Sequence, residues 1–174
     1  MRVHGAAQAP YGFIAFCRSH ADECRRRSVS YRRLQLTPTR LNALETVNRT
    51  VNTMVTPETD QVLYGVREHW TLPRQKGDCE DYVLLKRRML IQRGWPSGAL
   101  LITVVRDEVG EGHAVLTVRT AQGDFILDNK NDRIKYWFDT PYRFLMRQSY
   151  LNPTSWVALA PDLNHAQTTR LGTR

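Results

Sequence analysis

The sequence predicts an α+β domain, and three observations support that prediction. Helical periodicity dominates the first half of the chain, strand-forming runs fill the second, and short turns join those strands directly. With 174 residues the chain has the size of one domain with a real core. A single domain over 1–174 is expected, with an ordered core at about 11–160 and a polar, flexible tail over 161–174.

The elements follow in order. Tyr11 to about His20 reads as a first helix. Thr37-Pro38 is a helix start, with Thr as N-cap and Pro at the first helical position. Leu41, Leu44, Val47, Val51 and Met54 then fall on one side, until Thr56-Pro57 ends the helix. A less regular stretch runs through Trp70 and Pro73 to Gly77, and Trp70 is read as core rather than as part of a site. A further helix begins at about Asp78 and stops at Arg93-Gly94, with Pro96 just beyond. Its apolar residues cover more than one stripe, which predicts a largely buried central helix.

The pattern then changes. Leu100–Val105 and His113–Val118 are rich in strand formers, Ala121-Gln122-Gly123 is a turn, and Phe125–Asp128 is another short strand. Tyr142–Tyr150 and Ser155–Leu159 are two more strand candidates.

Composition narrows the function classes. No window reaches the roughly 18 apolar residues of a membrane span, and no apolar signal-peptide core stands at the N-terminus. The net charge of +8 comes mostly from Arg, spread along the chain with one dense run at Arg25–Arg33. That run is read as solvated surface, and no nucleic-acid fold signature surrounds it. Cys17 and Cys24 have two open readings, a disulfide closing a short loop or a pair of buried thiols. Either way Cys79 is left as the odd cysteine.

Cys79 falls in the first turn of the central helix, directly after Gly77-Asp78. Unpaired amides at a helix start favour a thiolate and can hold an oxyanion. His113 opens one strand and Asp128 closes the next, with the Ala121–Gly123 turn between them. If the hairpin loop has two or four residues, His113 and Asp128 share one face of the sheet; a one-residue slip separates them. On a shared face, His113 can take the Cys79 proton while Asp128 fixes the imidazole. Taken singly, each residue has an ordinary structural reading; taken together, they predict a cysteine hydrolase.

Gly77-Asp78-Cys79-Glu80-Asp81-Tyr82, Gly112-His113-Ala114-Val115-Leu116 and Ile126-Leu127-Asp128-Asn129 resemble the three blocks of the bacterial transglutaminase-like cysteine proteinases. These are relatives of the periplasmic protease that releases biofilm adhesins, and the likeness runs from about Phe13 to Leu159. The resemblance implies a papain/transglutaminase-like fold and a Cys79–His113–Asp128 triad. It also implies calcium dependence, a periplasmic address after signal removal, and a protein substrate such as a surface adhesin.

Asp78, Glu80 and Asp81 complicate this reading. Carboxylates suit a helix N-terminus, yet packed around Cys79 they oppose thiolate formation. A bound cation reverses that effect, and clustered carboxylates are suitable oxygen ligands for Ca²⁺. Asp78 and Glu80 are the first choices as metal ligands, with Asp81 as a ligand or a pin for the helix start. Two other readings stay open, an acyl transferase using the same triad and a non-catalytic binding module on the same scaffold.

Overall fold

The computed structural model describes residues 1–25 and 33–160. The tail expected over 161–174 and most of the Arg25–Arg33 run lie outside the described residues. The helices are α1 (Tyr11–Ser19), α2 (Ala21–Cys24), α3 (Pro38–Met54), α4 (Asp60–Tyr64) and α5 (Cys79–Gln92). The strands are β1 (Val3–Ala7), β2 (Thr56–Pro57), β3 (Lys76–Gly77), β4 (Leu100–Arg106), β5 (Gly112–Thr120), β6 (Gly123–Leu127), β7 (Lys135–Tyr136), β8 (Arg143–Gln148) and β9 (Trp156–Leu159). Among the described residues no helix is long and apolar enough to cross a membrane.

Local chemistry sets the helix ends. Thr37 caps α3, its side chain accepting from Arg40 N–H at 3.3 Å, with Pro38 in the first turn. Arg93 and Gly94 close α5, and Gly94 has φ +83°, a left-handed conformation that a side chain would strain.

Seven strands form one antiparallel sheet in the order β1-β9-β8-β4-β5-β6-β7. The sequence reading did not identify Val3–Ala7 as a strand. Its Gly and Ala residues are weak strand formers, and pairing with β9 is what holds it extended. The sheet carries an apolar layer on each face. Alternate residues Leu100, Ile102, Ala114, Leu116 and Val118 pack with Phe13, Phe16, Leu44, Val47 and Leu90 of the helices. Val105, Val115, Ile126, Tyr142, Phe144 and Leu159 form a smaller cluster on the other face.

α5 is the buried central helix the sequence predicts, with Tyr82, Val83, Leu84 and Leu90 all in the core. The parallel pair β2–β3 sets Lys76 and Gly77 beside Thr56 and Pro57, fixing the chain just before Cys79. Trp70 is 6% exposed and meets Phe13 edge-on, with ring centroids 5.8 Å apart. The core reading of Trp70 matches that packing. Cys17 and Cys24 are joined by a disulfide across a Cα separation of 5.6 Å.

Candidate active site

The β5–β6 hairpin closes through a two-residue loop, Thr120 pairing with Gly123, and its last pair is Leu116 with Leu127. That register would set Asp128 opposite Val115, so His113 stands on the same face at the diagonal position. His113 Nε2 and Asp128 Oδ1 lie 2.9 Å apart, and both side chains are buried.

Several groups hold Asp128. Its Oδ1 also accepts from Lys130 N–H at 3.0 Å, and its Oδ2 accepts from the Tyr142 hydroxyl. Its backbone carbonyl accepts from Asn52 Nδ2 of α3 at 2.9 Å. Burial pushes the Asp128 carboxyl upward, but His113, Tyr142 and the Lys130 amide outweigh it and hold the group below its ordinary range. An ionised Asp128 makes His113 Nε2 the hydrogen-bearing nitrogen, which leaves Nδ1 to accept a proton. Tyr142 also meets the His113 ring edge-on, with centroids 5.5 Å apart. Sequence reasoning placed Tyr142 at a strand start and missed this role, because nothing local marks a tyrosine as a partner for Asp128.

Cys79 begins α5 and is half-buried. It approaches β5 beyond the last β5–β6 pair, where the Ala114 amide acts on its thiol. The fold therefore brings Cys79 to the residue next to His113. The thiol itself donates to Glu80 Oε2 at 3.3 Å rather than to the imidazole. Burial raises the thiol pKa well above its ordinary value, the charges of Glu80 and Asp78 add to that, and the Ala114 amide opposes it. The electrostatic burden expected from the acidic neighbours is present.

The carboxylates around Cys79 divide into two groups that share Asp78. One is Asp78, Cys79 and Glu80; the other is Asp60, Asp78 and Asp81. Glu80 and Asp81 thus do not converge on one point, although both follow Asp78 closely in sequence. Asp60 of α4 takes the third place, and the sequence reading did not include it. An aspartate in the first turn of a short helix looks like an ordinary helix-start residue, and only the tertiary fold reveals its position.

The second group fits a hard divalent cation. Asp60, Asp78 and Asp81 each offer a carboxylate oxygen within 4.8 Å of the others, and Asp60 Oδ1, Asp78 Oδ1 and Asp81 Oδ2 are buried without a hydrogen-bond partner among the described residues. Asp78 occupies the N-cap position of α5 without capping it, so its side chain is left for another partner. The other oxygens are bound to the preceding loop. Asp60 Oδ2 accepts from His69 N–H, and Asp81 Oδ1 accepts from Thr71 N–H at 2.8 Å. Burial raises the Asp60 carboxyl and pushes Asp81 up to about 8, each opposed by its loop amide. Burial and a hydrogen bond to Asp78 raise Glu80 as well.

Gly77 is required by space. A Cβ there would lie 2.6 Å from Asp81 Oδ2 and 2.8 Å from Asp81 Cβ, displacing the carboxylate.

Three solved structures of LapG from Legionella pneumophila share this architecture. The calcium-bound form is 24% identical over 74% of each chain, with a TM-score of 0.59. The EGTA-treated form is 25% identical over 72% of this chain and 70% of that one, with a TM-score of 0.58. A third LapG structure is 24% identical over 78% and 77%, with a TM-score of 0.60. No curated protein sequence matches the chain. The profile of the bacterial transglutaminase-like cysteine proteinases (BTLCP, peptidase family C93) matches residues 3–164. With the papain/transglutaminase-like α+β fold in place and a profile match over nearly its whole length, the chain belongs to the bacterial transglutaminase-like cysteine proteinase family.

Proposed function

We propose that the chain is a calcium-dependent cysteine endopeptidase acting on a protein substrate through Cys79, His113 and Asp128. The observation that carries this reading is the buried His113–Asp128 pair, with His113 next on β5 to Ala114, whose amide acts on the Cys79 thiol. For the reaction the thiol leaves Glu80 and gives its proton to His113 Nδ1. The thiolate then attacks the peptide carbonyl, and the α5 N-terminal amides stabilise the oxyanion. The imidazolium returns its proton to the leaving amine, and water hydrolyses the acyl-enzyme. Asp128 remains ionised throughout and orients the ring.

Calcium is proposed on two supports, the calcium-bound LapG structure and the three unpartnered oxygens of Asp60, Asp78 and Asp81. Held by Asp60, Asp78 and Asp81, a cation would offset the negative charge beside Cys79 and so lower the cost of forming the thiolate. A periplasmic address is proposed with it, since the Cys17–Cys24 disulfide suits an oxidising compartment. The substrate assigned is a surface protein such as an adhesin.

The test is incubation with surface proteins of the source organism, followed by mass spectrometry of the new chain ends. The reading requires cleavage by the unaltered protein in calcium, and none by Cys79→Ser or in EGTA. Incorporation of an amine without cleavage would replace it with acyl transfer.

A further inference from the structure

Far from Cys79, the sheet face turned away from the helices gathers positive charge. Arg119 lies six residues beyond His113 on β5, about 20 Å along the strand. It is 8% exposed, and Arg147 of β8 is 3% exposed. The Nε of each is buried and has no hydrogen-bond partner among the described residues. Arg33 approaches from the chain before α3 and binds Asp124 Oδ1 at 2.6 Å, while the Met1 nitrogen reaches Asp124 Oδ2 at 3.2 Å. Asp124 pairs with Arg119 across β5 and β6. It is the carboxylate that acts on both buried arginines, whereas Arg33 repels both and Arg119 repels Arg147.

Arg33 binds the Asp124 carboxylate and Arg119 stands opposite it, while Arg147 shares the sheet face of Arg119. One carboxylate, already engaged by Arg33, is therefore the counter-charge for three guanidinium groups. Arginines that merely cover a sheet with their stems keep the head hydrated. Here the inner N–H of each buried arginine is cut off from water without an acceptor, an arrangement that costs stability unless a partner completes it. Arg119 is also held in place by the Tyr150 ring, 4.0 Å from its guanidinium carbon. A guanidinium fork fixed in this way matches the spacing of oxyanion oxygens.

We propose that Arg119 and Arg147, with Arg33 at the rim, bind an oxyanion group, carboxylate or phosphate, carried by a ligand outside this chain. The site is separate from Cys79 and from the acidic group near it, so it does not depend on the assigned protease chemistry. It gives the protein a second contact point, on the opposite face of the sheet from the helices, for an acidic segment or a phosphorylated ligand.

The test is a titration of the arginine Nε–H signals in ¹⁵N-labelled protein. Sodium phosphate and sodium acetate are compared with sodium chloride at matched ionic strength. The Arg119 and Arg147 signals are assigned by their loss in Arg119→Lys and Arg147→Lys. If either variant fails to fold, the ring-current shift from Tyr150 still identifies Arg119 in the unaltered protein. The proposal expects saturable shifts of both signals with a dissociation constant of about millimolar or tighter. Saturation by phosphate alone assigns a phosphate ligand, and saturation by acetate as well assigns a carboxylate. Shifts in phosphate and acetate no larger than those in chloride overturn the site.

Discussion

His113 and Asp128 meet at 2.9 Å from positions two residues out of register across β5 and β6. The diagonal contact exists because the hairpin loop has two residues and because Lys130, Tyr142 and Asn52 hold Asp128 just beyond the end of β6. Asp128→Asn keeps the shape of this arrangement but removes the charge that fixes the His113 tautomer. Peptide cleavage is expected to fall by about 10²–10⁴-fold with an unchanged circular dichroism spectrum. Unaltered cleavage by this variant would remove Asp128 from the mechanism.

The two carboxylate groups sharing Asp78 predict different effects on calcium binding. Asp60→Asn and Asp81→Asn are each expected to weaken calcium affinity by about tenfold or more, as measured by titration calorimetry. Glu80→Gln should weaken it less than either, since Glu80 lies against Cys79 and outside the Asp60 group. A larger loss in Glu80→Gln than in Asp60→Asn would restore the ligand set expected from sequence alone.

The same carboxylates set a pH dependence. Asp60 and Asp81 are both raised by burial, Asp81 to about 8 from an ordinary 3.8. The folded protein therefore holds more protons than the unfolded chain between those values, and stability falls as pH rises through that window. In EGTA the melting temperature should decline from pH 5 to pH 8. Calcium, which binds the deprotonated groups, should oppose the decline, so the gap between the two melting curves widens with pH. A gap independent of pH would contradict the assignment.

Lys86 is fully buried on α5, with no hydrogen-bond partner for its Nζ among the described residues. Burial lowers its pKa to about 7, against the opposing charges of Asp128 and Asp132. Here the unfolded chain binds the extra proton, so this group makes stability rise between pH 7 and its ordinary value of 10.5. Lys86→Met should abolish that rise and stabilise the protein below pH 7 by about 1–4 kcal/mol in denaturant unfolding. A destabilised variant would mean that the charge of Lys86 supports the loop carrying Asp128.

Much of this was legible in the sequence. The Thr37-Pro38 start, the Gly94 stop and the alternation through β4, β5 and β6 are local signals, and the structure follows them. The meeting of His113 with Asp128 was legible because each sits at a strand end whose position local patterning predicts. Asp60 and Tyr142 were not, because their roles depend on distant segments meeting around Asp78 and Asp128. The paired arginines Arg119 and Arg147 were hidden for the same reason. They lie on strands β5 and β8, separated by β4, an order that no short-range pattern reveals.

The most direct test of the central claim is the rate at which Cys79 reacts with iodoacetamide across pH 5–9 in saturating calcium. The unaltered protein should label at neutral pH at least about tenfold faster than His113→Ala, whose profile should follow the raised titration of the buried Cys79 thiol on its own. Equal rates and matching pH profiles in the two proteins would contradict a Cys79–His113 pair.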